Sequence, residues 1–166
     1  MARLTDHGAP HVLALGALRE GCDSAVQTTI VENRDIVARL DEPTKSILRQ
    51  SRFRMETPAW ADRSQEASLT RMPLLVGNAS VSLQVNWDSV VALDDEAHAA
   101  RDKLLEAIGQ SPIHGVHLED GDIIFFHNLR VLHGRSAYTC IRYDGYDRAL
   151  MRSYFCPRAE GENRIL

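Results

Sequence analysis

Short strand-like segments closed by glycine turns fill the last third of this chain and restrict its fold more than any other feature. Residues 113 to 118, 122 to 127 and 147 to 155 are rich in Ile, Val, Phe, Leu and Tyr, and Asp120-Gly121 and Asp144-Gly145 sit between them. Asp-Gly is turn chemistry, because glycine reaches positive φ without steric cost. Further strand candidates cover His11 to Arg19, Ala25 to Val31, Pro73 to Val76 and Ser80 to Asn86. The last alternates Val81, Leu83 and Val85 with Ser82, Gln84 and Asn86, so one face meets the core and the other a polar environment. Gly16 inside the first suggests a bulge or a close backbone approach.

Helical spacing interrupts this pattern in two places. Asn33 to Leu40 and Glu42 to Gln50 carry modest apolar stripes, the second with Asp41 as N-cap and Pro43 in its first turn. Asp94 to Ile108 has acids in its first turn and Ala97, Ala100, Leu104, Ala107 and Ile108 at helical intervals, with Gly109 expected to close it. Residues 57 to 71 read as a polar excursion of the kind that borders sites. The sum predicts a mainly β fold with inserted helices, a β-sandwich or jelly roll, in a single domain over 1–166.

A chain of 166 residues with 44% hydrophobic and 25% charged residues is an ordinary globular composition. The net charge of -4 and the absence of a basic stripe argue against a nucleic-acid surface. No apolar run reaches the roughly 18 residues of a membrane span, and the cytoplasm is the simplest address. The three cysteines, Cys22, Cys140 and Cys156, are an odd number far apart in sequence, and are expected to be reduced, partly buried thiols.

The chemistry gathers near the C-terminus. If 147 to 155 is extended, Arg148, Leu150, Arg152, Tyr154 and Cys156 share one face. Burying two guanidiniums costs several kcal/mol unless an anion meets them, and a carboxylate matches the planar fork bidentately. Spacing alone favours the plainer arrangement, in which one arginine pairs with Asp144 or Asp147 and the other points to water. His133 follows an apolar strand and an Asn-Leu-Arg turn and precedes Gly134. A lone histidine is more often structural than a metal ligand, and His127, His114 and His117 compete for any metal role.

Three stretches together resemble the C-terminal half of the clavaminate synthase-like branch of the TauD/TfdA superfamily, iron(II)- and 2-oxoglutarate-dependent oxygenases. They are Gly121-Asp122 with its apolar run, Asn128-x-Arg130-Val131-Leu132-His133-Gly134-Arg135, and Tyr143-Asp144-Gly145-x-Asp147-Arg148-x-Leu150-x-Arg152-x-Tyr154. The likeness extends upstream through Thr28-Thr29-Ile30-Val31-Glu32-Asn33-Arg34-Asp35 and Leu40-Asp41-Glu42-Pro43-Thr44 to Arg52-Phe53. The resemblance implies a double-stranded β-helix with His133 as the distal histidine ligand of Fe(II). It makes Arg148 the holder of the far carboxylate of 2-oxoglutarate, with the Thr28 hydroxyl assisting, and places Arg152 in the same pocket. The implied reaction hydroxylates a small amino-acid-like substrate, with no nucleic-acid or membrane partner.

The sequence departs from that family in defined ways. The proximal His-x-Glu or His-x-Asp pair, which completes the facial iron triad with the distal histidine, would have to lie near residue 1, where the chain reads Met1-Ala2-Arg3. The resemblance thus implies a jelly roll incomplete at its N-terminus, whose isolated product binds iron weakly and turns over little. His127 stands where the family usually has Asp, and the interval from His133 to Arg148 is 148 − 133 = 15 residues, one longer than expected. A non-catalytic remnant or dicarboxylate-binding module, self-associating through exposed sheet edges, is the alternative. A cupin-like metal site using His114, His117 and Glu119 with His133 is a third reading.

Overall fold

Strand β1, Val12–Arg19, is the middle of a three-stranded sheet and organises the half of the molecule that carries the candidate site. It pairs antiparallel with β8, Ile123–His127, on one side and β10, Ala149–Phe155, on the other. Leu13, Leu15 and Ala17 alternate onto one face and are buried, as a period of two requires. Leu15 lies opposite both Arg152 and Ile124, and Leu13 opposite both Tyr154 and Phe126. The irregularity anticipated at Gly16 falls instead between Ala17 and Arg19. Gly16 keeps regular register, and a Cβ there would meet Ile123 and Met151 at 3.8 and 3.9 Å, ordinary contact distances.

The computed structural model describes residues 11–56, 71–77, 82–87, 89–138, 140 and 142–155. The 57 to 71 excursion, the start of the Ser80 to Asn86 segment and Cys156 therefore lie wholly or mostly outside the described residues. The remaining elements, in chain order, are β2 (Thr28–Glu32), α1 (Asn33–Val37), α2 (Glu42–Leu48), β3 (Phe53–Met55), β4 (Leu75–Val76), β5 (Ser82–Leu83), β6 (Val90–Ala92), α3 (Asp95–Gln110), β7 (His114–Val116) and β9 (Val131–Arg135). A second three-stranded sheet runs β7-β2-β9, with β3-β6 and β4-β5 as two-stranded pairs. None of the helices among the described residues is long and apolar enough to cross a membrane.

The chain resolves into two compact units. One comprises 1–30, 114–129 and 133–166; the other comprises 31–113 and 130–132. The second unit owns the larger apolar core, built on Ile36, Leu48, Phe53, Leu74, Leu75 and Leu104, each nearly inaccessible. Helix α3 contributes Ala97, Ala100, Leu104 and Ala107, the stripe its spacing predicts. Asp94 caps it by accepting the Ala97 amide at 2.9 Å and also receives the Arg52 fork at 2.6 and 2.8 Å. Asp41 caps α2 through the Thr44 amide at 2.7 Å.

Several boundaries shift for local reasons. Helix α3 continues through Gly109 and ends at Ser111, whose hydroxyl donates to the Ala107 carbonyl at 2.7 Å. Gly109 keeps helical φ, so it does not terminate the helix. Helices α1 and α2 stop short of Leu40 and Gln50 because Leu40 and Gln50 donate to Val37 and Ile47, the tighter three-residue closure of a terminal turn. His133 follows the apolar strand β8 and the turn at 128–130, as expected, and itself lies within β9.

The cysteine expectation is overturned: Cys22 and Cys140 form a disulfide with their Cα atoms 5.9 Å apart. Sequence distance misled here because the β1 and β10 ladder carries the chain after β1 onto the segment before β10. Gly21, at φ +89°, lies so close to Arg148 that a Cβ would fall 2.6 Å from its amide nitrogen, and Cys22 is the next residue. Closing a loop of 118 residues stabilises the fold by about 3–5 kcal/mol through denatured-state entropy. Cys22→Ser is therefore expected to lower the unfolding free energy by that order in denaturant titration. Peptide mapping that finds both thiols free in the air-exposed protein would refute the bridge.

Candidate anion and metal site in the first unit

Arg148 is set by the residues around it before any ligand is considered. Asp147 accepts the amides of Arg142 and Tyr143 at 2.8 and 2.7 Å, and its own carbonyl takes the Arg19 Nε at 3.3 Å. Those bonds close the Arg142 to Asp147 loop and let Tyr143 hold φ at 56°. Backbone contact with Gly21 pins the start of β10 from the other side. Arg148 Nη2 then donates to the Thr28 hydroxyl at 3.1 Å, and Thr28 is 1% exposed in β2. These two residues, 120 apart in sequence, are brought together.

The acids expected to take an arginine do not take this one. Asp144 pairs with Arg142 at 2.7 Å, and both oxygens of Asp147 are occupied by backbone amides. Among the described residues Arg148 and Arg152 have no ion pair. Burial, and then the charge of nearby Arg135, lower the Arg148 pKa from its usual high value; arginine nonetheless stays protonated. A cation in that state is stabilised by an arriving anion. Arg148 lines a cavity of about 470 Å³ with Arg135, Tyr138, Tyr143, Asp147 and Leu150.

His133 and Arg152 form a separate neighbourhood of the same unit. The His133 ring packs against Phe126 with centroids 5.0 Å apart, and neither His133 nor Arg152 lines the Arg148 cavity. Arg152 donates to the Tyr154 hydroxyl at 3.2 Å. Gly134 permits close approach, since a Cβ there would lie 3.1 Å from the Thr29 hydroxyl. Burial first, and then the Arg152 charge, lower the His133 pKa, which favours the neutral imidazole that a metal requires.

Two of the competing histidines have other partners. His117 Nδ1 bonds the Val26 carbonyl at 3.0 Å and its Nε2 faces Glu20 at 3.4 Å, while His127 stacks with His11 at 6.0 Å. No group of three His, Cys, Asp or Glu residues capable of holding a metal occurs among the described residues. Sequence reasoning gave no role to Arg135 or Tyr138, and cast Asp147 as a partner for an arginine side chain, where its carboxylate accepts backbone amides instead. The signal for Arg135 was present in its two-residue spacing from His133 on one strand, which places both side chains on one face.

A depressed histidine pKa has a definite consequence for stability. As pH falls below the ordinary value of about 6.5, the unfolded chain takes up the proton before folded His133 does, so stability falls with pH in that interval. NMR titration of the metal-free protein should place His133 below that ordinary value, and Arg152→Ala should raise it. A midpoint at or above 6.5, unmoved by Arg152→Ala, would show that burial and the Arg152 charge do not govern this imidazole.

No curated protein matches the sequence. Among solved structures, an asparagine oxygenase in complex with Fe(II), 2S,3S-3-hydroxyasparagine and succinate is similar, with a TM-score of 0.75 at 24% identity over 92% of this chain and 47% of that one. The non-heme iron oxygenase OrfP in complex with Fe and alpha-ketoglutaric acid gives a TM-score of 0.70 at 26% identity over 93% and 47%. The same enzyme with Fe and L-canavanine gives 0.67 at 26% identity over 93% and 50%. The chain thus spans about half the length of the solved structures it matches, and shares the β-rich jelly-roll fold of these oxygenases over that half. The family description "Taurine catabolism dioxygenase TauD, TfdA family" matches residues 10–154, and to that family the chain belongs.

Proposed function

We propose that this chain supplies the co-substrate pocket and one histidine ligand of an iron(II)- and 2-oxoglutarate-dependent dioxygenase that hydroxylates a small amino-acid-like substrate. The observation that carries the reading is the Arg148 guanidinium, donated to Thr28 and left without an acidic partner among the described residues beside an open cavity. A dicarboxylate end is the chemical complement of that arrangement. The substrate class is supported by OrfP, solved with (3S)-hydroxy-L-Arg and with L-canavanine, and by the asparagine oxygenase with hydroxyasparagine.

The two co-substrates fare differently against the residues present. Arg148 and Thr28 fit the far carboxylate of 2-oxoglutarate, one supplying charge and a fork, the other a hydroxyl that fixes the fork's direction. Iron(II) requires two further protein ligands beside His133, and the described residues do not place them there. What this chain does by itself is hold a dicarboxylate, keep an imidazole neutral and carry a second cation, Arg152, beside it. The second reading is a dicarboxylate-binding module without metal chemistry.

Calorimetry and carbon dioxide release separate the outcomes. The 166-residue chain is expected to bind 2-oxoglutarate without added metal. Arg148→Ala should weaken that binding at least roughly tenfold, the scale of a lost charge-assisted hydrogen bond. Release of carbon dioxide from 2-oxoglutarate with added Fe(II) is expected to be slight. Robust turnover abolished by His133→Ala would overturn the second reading, and no binding of 2-oxoglutarate would overturn both.

A further inference from the structure

We infer that Arg135 is a second co-substrate-binding arginine, which grips the far carboxylate of the dicarboxylate from the opposite wall to Arg148. The inference rests on the reading of the Arg148 cavity as a 2-oxoglutarate pocket and extends it to a residue that the resemblance leaves without a role. Arg135 and Arg148 line the same cavity of about 470 Å³, Arg135 from the end of β9 and Arg148 from the start of β10.

Arg135 is held in place without being neutralised. Its Cζ lies 4.8 Å from the centroid of the Tyr138 ring, a cation–π contact that orients the guanidinium and leaves its charge unpaired. Among the described residues the acid in the cavity wall is Asp147, whose two oxygens accept the Arg142 and Tyr143 amides. Among the described residues neither arginine has an ion pair, and their like charges repel, which is one reason the Arg148 cation is disfavoured. A cavity that presents two guanidiniums with no ion pair among the described residues is complete once a carboxylate lies between them. A carboxylate offers about four lone-pair sites, enough for donors from both sides.

The test is a double-mutant cycle read by calorimetry with 2-oxoglutarate and the metal-free chain. Arg135 is exposed and makes no ion pair among the described residues, so Arg135→Gln and Arg135→Lys should keep the wild-type melting midpoint. Arg135→Gln should weaken binding roughly tenfold, and Arg135→Lys should weaken it less, keeping the charge but losing the fork. Because both arginines share one carboxylate, Arg135→Gln combined with Arg148→Gln should cost less than the sum of the two single changes. Arg135→Gln binding within twofold of wild type, while Arg148→Gln is weakened, would overturn this inference and leave the proposed function standing. Strictly additive losses would also overturn it, since the two side chains would then act on different groups. Failure of the wild-type chain to bind 2-oxoglutarate would instead refute the proposed function itself.

Discussion

Everything in the first unit depends on β1 being paired on both edges. A central strand satisfies its backbone donors and acceptors twice over, and its register sets which side chains of β8 and β10 look inward. Leu13 and Leu15 fix that register by burial. Slipping one residue would turn both to the opposite face of the sheet. The turn at Asp120-Gly121 is locked to the same strand, with the Gly121 amide on the Ala17 carbonyl at 2.8 Å and the Glu20 amide on Asp120 at 2.6 Å. The continuation of β1 through Gly21 and Cys22 then contacts Arg148 and bridges to Cys140. One strand thus sets both the inward face and the pocket wall.

Charge is treated differently in different parts of this protein. Arg52 is matched by Asp94 and Glu96, Lys103 by Asp41, Arg54 by Glu56 and Arg142 by Asp144. Exposed pairs of this kind contribute little individually, but they show that acids stand where cations need them. Around Arg135 and Arg148 the wall acid found among the described residues, Asp147, is drawn into backbone hydrogen bonds. That contrast separates a ligand pocket from an ordinary polar surface, and it is invisible to a count of charges.

Much of the architecture was legible from residue order. Asp41 caps α2 where its sequence position indicates, and the alanine and leucine stripe of α3 faces the core. The glycines at 121 and 145 take the positive φ that their turns demand. Short strands such as β3 and β6 escaped notice, because three residues give no readable period; they exist through pairing, Phe53 with Ala92 and Met55 with Val90. The extent of α3 past Gly109 was misjudged for a related reason, since Ser111 supplies the closing hydrogen bond that glycine was assumed to provide.

The sequence by itself determined the local chemistry: which segments extend, where turns fall, and that an imidazole and several guanidiniums cluster near the C-terminus. Those features follow from neighbours in the chain, whose sterics and spacing are written in order. Tertiary structure alone decided that Arg148 meets Thr28, that Cys22 meets Cys140, and that the Asp147 carboxylate serves the backbone and not an arginine side chain among the described residues. Such contacts join residues as many as 120 positions apart. They arise from strand pairing across the sheet, and no local pattern in the sequence records which partner a side chain will find.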